Sequence, residues 1–394
     1  DATVVDVGNR TILPGLFDCH IHLAAFNCDT FHNYRVSFWE VSPQLQSFYA
    51  LYHAQLCLEQ GFTTLRDMGR GTPKGSFVTE MCSVRDAINA GIVPGPRILV
   101  GGRVMISGSH FDLLTLPRTF PRPPDFTADG PYELRRHVRE NLRTGCDLIK
   151  TCCSGGAAAH SNHGVRNMTQ EELDAVVDEA HAFDKQCSVH VFTADGQRMC
   201  VKAGADTIEH MVMTDDDATA RIADAGTYVI PTLAHRSDKG IDSREKAGAP
   251  GNLIRRMKEL QPRCFETFQK MRDAGVKIAM GTDTGIDPKM GESAYELSIY
   301  VELGMSPMEA IQSATKNAAE AVGLIGDLGT LEAGKFADFI VVDDNPLDDI
   351  GILEDKKNIN MVMKEGQIFI DKIGGNKNYL VLREQDALKK IDML

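Results

Sequence analysis

Short apolar, β-branched runs alternate with longer segments of helical period along most of the chain. Eight runs read as strands: LFDCHIH (16–22), TTLRDM (63–68), RILVGG (97–102), DLIKTCC (147–153), CSVHVF (187–192), DTIEHMV (206–212), TYVIPTL (227–233) and KIAMGTD (277–283). Between most of them lies an amphipathic segment. TQEELDAVVDEAHAFDK opens on Thr169 with Glu172 three positions later, the capping-box pattern of a helix start. PMEAIQSATKNAAEAVG, over 307–323, reads as another helix. Strand–helix alternation repeated eight times predicts an α/β fold, a (β/α)8 TIM barrel with its chemistry at the C-terminal strand ends.

Beyond about residue 322 the texture changes to short strands, Gly turns and an Asn-Pro break, in GDLGTLEAGKFADFIVVDDNPLDDI and INMVMKEGQIFI. ATVVDVGNRTIL at the other end has the same texture. The two ends are expected to meet in a small β-sandwich, giving residues 1–14 and 323–394 to that domain and 15–322 to the barrel. The tail YLVLREQDALKKIDML reads as a terminal helix. At 394 residues the chain has room for a barrel of about 250 residues and a smaller module.

Composition narrows the function classes. No apolar run reaches the roughly 18 residues that span a bilayer. A net charge of −13 argues against nucleic acid or an anionic membrane as partner, and leaves a small substrate open. The ten cysteines form no CxxC pairs, which fits reduced, buried thiols and a cytoplasmic setting. The chain opens at Asp1 without a Met, leaving room for a missing leader or first strand.

The candidate chemistry gathers at strand ends. His20 and His22 come from the first strand, Lys150 from the fourth, His190 from the fifth, His210 from the sixth and Asp283 from the eighth. Residues two apart on a strand share a face, so His20 and His22 both point toward the barrel mouth. A single histidine in an apolar strand is ordinarily a core residue. Six ionisable groups buried together would be costly without a metal to hold, and imidazoles with a carboxylate suit zinc or a similar divalent ion. Lys150 is out of place as a cation there. Burial and nearby cations lower an amine's pKa, and a neutral amine can add CO2 to give a carbamate that bridges two metals about 3.5–4 Å apart. The other reading of Lys150 is a packed stem with its head paired to an acid.

These residues carry a resemblance. LPGLFDCHIH, GFTTLRDMG, LIKTCCSGG, VHVFTADG, TIEHM and GTDTG, with G.L..GK.AD.IVVD.NPL.DI, resemble the metal-dependent amidohydrolase superfamily, within it the imidazolonepropionase-like branch. That branch includes prolidase-type and arginine-type dipeptidases and carboxypeptidases, and an ochratoxin-hydrolysing amidase. The resemblance runs from about residue 3 to residue 370. It implies a homo-oligomer with two zinc ions: His20, His22 and Asp283 on one, His190 and His210 on the other, and carbamylated Lys150 between them. Imidazolonepropionases use one metal and lack the lysine, so Lys150 favours the peptidase and amidase side. The expected reaction is attack of a metal-bridged hydroxide on an amide next to a free carboxylate, in a dipeptide, a peptide C-terminus or an N-acyl amino acid. Asp283 would act as general base and then general acid. The alternatives are an ochratoxin-like N-acyl aromatic amino acid, or a cyclic amide or imidazolone.

Substrate contacts are less marked. His110 in ISGSHFD is expected at the scissile carbonyl or the substrate carboxylate. Arg236, beside His235 in TLAHRSD, is a candidate carboxylate clamp, since Arg is the usual bidentate partner. The loop AAAHSNHGVR adds His160, His163 and Arg166 as candidates. Several peptidase relatives have His-x-Tyr at the fifth strand, whereas this chain reads His190-Val191-Phe192 and lacks the phenol. The aromatics and sole Trp of RVSFWEVSPQLQSFY are expected to pack against the barrel.

Overall fold

A computed structural model of the chain describes residues 4–25, 41–69, 71–72, 75–76, 78–115, 127–156, 162–284, 289–375 and 377–380. His160, the sole Trp (Trp39) and most of the predicted terminal helix lie outside these residues. Seven of the eight expected barrel strands form one parallel sheet. They are β2 (Leu16–Ile21), β3 (Phe62–Asp67), β6 (Arg97–Arg103), β7 (Leu148–Cys152), β8 (Gln186–Val191), β9 (Thr207–His210) and β10 (Tyr228–Ile230), neighbours in the order β10-β9-β8-β7-β6-β3-β2. Gly71–Thr72 (β4) and Gly75–Ser76 (β5) make a separate small hairpin.

The eighth segment closes the ring without becoming a regular strand. Val229 of β10 donates its N–H to Lys277 O at 2.9 Å, and Ala279 N donates back to Val229 O at 3.0 Å. On the other side Cys19 N donates to Met280 O at 2.9 Å, and Thr282 N and Asp283 N donate to His20 O at 3.2 and 2.7 Å. Ile21 bridges Thr284, so residues 277–284 span the gap between last and first strands. Every residue of β2, β3, β7, β9 and β10 is buried, as strands covered on both faces require.

Helices follow the strands. Thr169 caps Gln170–His181, its side chain accepting from Glu172 N while Glu172 reaches back, as the sequence pattern requires. The run over 307–323 divides into Pro307–Ser313 and Lys316–Ala321 instead of one helix. The break frees two carbonyls for the barrel: Ser313 O accepts from Met280 N at 2.9 Å and Ala314 O from Phe17 N at 2.8 Å.

The chain ends meet in a five-stranded antiparallel sheet, β1-β11-β12-β13-β14, built from Thr11–Pro14 (β1), Phe339–Val342 (β11), Ile359–Lys364 (β12), Gln367–Asp371 (β13) and Lys377–Asn378 (β14). Thr11 pairs with Val342 and Pro14 with Phe339, sequence neighbours only across the whole barrel. Arg97 at the start of β6 ties the units together, donating to Asp338 at 2.9 Å and Glu365 at 2.5 Å. The nine cysteines among the described residues are all buried and free. No helix among them is long and apolar enough to cross a membrane.

Candidate metal centre

The barrel register brings the expected ligands together. Cys152 lies opposite His190, and Val191 opposite His210, so Lys150, His190 and His210 follow one another round the ring. His22 and Asp283 lie just past β2 and in the closing segment. Asp283 Oδ1 stands 3.1 Å from His22 Nε2 and 3.6 Å from His20 Nε2, and ligand atoms of the three residues lie within 4.8 Å of one another. The other histidines join this group through their rings. His20 and His210 are 4.8 Å apart, His210 and His190 4.5 Å, and Asp283 Oδ2 is 4.0 Å from His210 Nδ1.

Outer contacts fix the rings. His20 Nδ1 meets Glu209 Oε2 at 2.6 Å, His22 Nδ1 meets Gly69 O at 2.8 Å, and His210 Nδ1 meets Thr232 Oγ1 at 2.8 Å. His20 and His22 thereby turn Nε2 toward Asp283, the usual arrangement behind metal-bound imidazole, whereas His210 has Nδ1 on the Asp283 side. His190 is turned the other way, with Nε2 at 3.2 Å from Gly155 O. Three of the groups lie where the backbone is left-handed: His210 (φ +78°), Thr232 (+52°) and Asp283 (+55°). Each such non-glycine residue costs about 1–3 kcal/mol, and such strain gathers at functional sites.

The electrostatics suit cation binding. Burial, then the charge of Lys150, pushes the His20 imidazolium down to about 4. Burial pushes His190 and His210 well below the usual histidine range, with neighbouring His110 and His190 respectively adding to it. All three rings are therefore neutral at pH 7 and free to donate a lone pair. Burial alone would raise Asp283, but the His22 hydrogen bond and the surrounding histidines hold it well below the usual carboxylate range. Lys150 is 1% exposed and its Nζ makes no hydrogen bond. Burial pushes this amine down to about 8. Neutral imidazoles, an ionised carboxylate and a buried amine lacking a partner fit a site for divalent cations.

The remaining expected residues divide. His110 is buried, stacked on His190 at 4.7 Å, with Nδ1 lacking a hydrogen bond. A Cβ at Gly156 would stand 2.5 Å from the His110 ring, so only glycine lets this loop cross it. Phe192 lies between His190, stacked at 4.8 Å, and the Arg236 guanidinium, 4.8 Å from its centroid. Arg236 is 2% exposed and one Nη makes no hydrogen bond. His235 is buried beside it. His163 is half-buried and faces the charges of Arg256 and Arg263, while Arg166 is exposed. Among the described residues, neither hydrogen-bonds to, ion-pairs with or stacks on the six-residue group.

Sequence reasoning missed the charged groups inside the strands. Asp18 accepts from His20 N and Thr282 N, both at 3.1 Å, and so clamps the first strand to the closing segment. Arg66 and Glu209 pair at 2.9 Å, 1% and 0% exposed. The signal available was an acid or Arg inside an otherwise apolar strand run, FTTLRD and TIEH, where an unpaired charge has no place.

Known proteins place this architecture. The chain is 31% identical to ochratoxinase of Aspergillus niger over 382 residues, covering 91% of this chain and 75% of that one. Among solved structures it resembles a Xaa-Pro dipeptidase with methionine in its active site, at TM-score 0.82 and 34% identity, covering 92% and 87% of the two chains. It also resembles a prolidase complexed with N-methylphosphonate-L-proline, at TM-score 0.81 and 30% identity, covering 92% and 88%. The amidohydrolase family model matches residues 11–369, from the first strand of the small sheet to its fourth. With a match of that extent, the chain belongs to the amidohydrolase family.

Proposed function

We propose that the chain is a binuclear zinc hydrolase that cleaves an amide bond next to a free carboxylate, as in a dipeptide, a peptide C-terminus or an N-acyl amino acid. The observation that carries this reading is Lys150, a buried amine with no hydrogen-bond partner facing the neutral imidazoles His20, His190 and His210. Burial raises the share of Nζ in its neutral form, which would add CO2 and release a proton, leaving a carbamate. His20, His22 and Asp283 would then hold one ion, His190 and His210 the other, and the carbamate would join them. Bound divalent ions would lower the pKa of water and polarise the substrate carbonyl.

The chain's own residues supply the rest. Asp283 accepts the proton of the attacking water on a carboxylate oxygen and returns it to the leaving nitrogen. His110, held across Gly156, presents its ring to the scissile carbonyl. Arg236 offers its unused Nη to the substrate carboxylate, its guanidinium set over the Phe192 ring. Names of relatives support this class: a Xaa-Pro dipeptidase, a prolidase and an ochratoxinase. Phe192, in place of a phenol, supports an apolar rather than hydrogen-bonding wall.

The test is metal analysis with a panel of Xaa-Pro, Xaa-Arg, Xaa-Phe and N-acyl amino acids, each as free acid and C-terminal amide. Two zinc ions per chain and turnover of free acids over amides are expected. Arg236→Met should raise KM for free acids roughly 10–100-fold, the loss of one charged hydrogen bond. A zinc-loaded enzyme idle across the panel, or indifferent to amidation, refutes the reading.

A further inference from the structure

Arg66 is the largest fully buried side chain in the described molecule, and it hydrogen-bonds inside the barrel. Its Nε donates to Cys19 O at 2.6 Å, one Nη donates to Ser188 Oγ and Thr207 Oγ1 at 3.0 and 3.1 Å, and the other donates to Glu209 Oε1 at 2.9 Å. Thr207 Oγ1 also donates to Glu209 Oε1, at 2.6 Å. The remaining oxygen, Oε2, meets His20 Nδ1 at 2.6 Å. One unit drawn from β3, β8 and β9 therefore holds His20 at two points: the carbonyl just before it and its own ring.

A buried ion pair is a poor stabiliser. Desolvating both charges costs about as much as their attraction returns, and apolar residues of like volume often serve stability as well. Packing therefore does not account for a guanidinium and a carboxylate here. We propose that Glu209 and Arg66 are positioning residues that fix His20 in the tautomer protonated on Nδ1, so that Nε2 is left bare toward Asp283. Glu209 oxygens accept but do not donate, so the Nδ1 side of the ring must carry the hydrogen. Arg66, donating to Oε1 at 2.9 Å, keeps the carboxylate aimed at the ring. This inference rests on the metal-site reading above.

The test is zinc retention against a competing chelator, with fold followed by circular dichroism and Tm. Glu209→Leu leaves Arg66 buried and unpaired, so the informative variant is Glu209→Leu combined with Arg66→Met, which removes both charges. Zinc affinity should fall roughly 10–100-fold while the fold is kept. A double variant that holds zinc as wild type does overturns the inference. Should that variant not fold, a zinc-loaded crystal structure of the wild type decides. His20 Nε2 on the metal with Nδ1 against Glu209 is expected, and Nδ1 on the metal overturns the inference. Wild type that binds no zinc would instead refute the metal-site reading, a distinct outcome.

Discussion

Asp283 combines a left-handed backbone (φ +55°) with a carboxylate set between His20 and His22. Asn tolerates that backbone region about as well as Asp, so Asp283→Asn should keep the shape and lose the proton acceptor together with the charge offered to the proposed ion. Turnover should fall by about 10²–10⁴, with the circular dichroism spectrum unchanged. Near-normal turnover would remove Asp283 from the proposed role. At this scale the sequence was informative where chemistry and period agreed. His20 and His22, two apart on one strand, do converge with Asp283. Glu209 was illegible for the opposite reason: it stands one residue before His210, and nothing local tells that its carboxylate crosses the barrel to His20. Arg66 reads as an ordinary strand-end charge until β8 and β9 are placed beside it.

Among elements, the closing segment departs furthest from its pattern. KIAMGTD alternates like a strand, yet residues 277–284 pair only by single bridges and scattered hydrogen bonds. The seam is too tight for a full ladder. A Cβ at Gly281 would stand 2.5 Å from Ile230 Cγ2 and 2.8 Å from both His20 Cβ and His20 N. Backbone cannot move aside cheaply, so Gly281→Ala should cost about 1–3 kcal/mol as overpacking. Denaturant unfolding would read the loss as a lower midpoint at constant slope. A wild-type midpoint would show that the seam is looser than the distances state. The break at 314–315 has a similar origin. The helical period of 307–323 is real, but two of its carbonyls are claimed by Met280 and Phe17, an interaction invisible to local pattern.

At the scale of the whole molecule, one buried acid couples stability to pH. Glu296, on the helix Tyr295–Glu302, is fully buried, and its two oxygens accept from Leu233 N and Ala234 N at 2.6 Å each. It thereby pins the turn that carries Arg236. Burial pushes its carboxyl up from 4.5 to about 8, against the lowering effect of those two donors. Unfolded, Glu296 loses its proton near 4.5; folded, it keeps it to about 8. Between these values the native state binds more protons, so rising pH favours the unfolded chain. The contribution is whole below about pH 4.5 and gone above about pH 8. Self-repulsion in a chain of net charge −13 also varies with pH, so the wild-type curve alone would not isolate one group. Glu296→Gln shares that background and lacks the titration. The difference in unfolding free energy between the two proteins should therefore shift against the wild type as pH rises from 5 to 8. Parallel curves would mean that Glu296 is already ionised in the fold, with its two backbone donors outweighing burial.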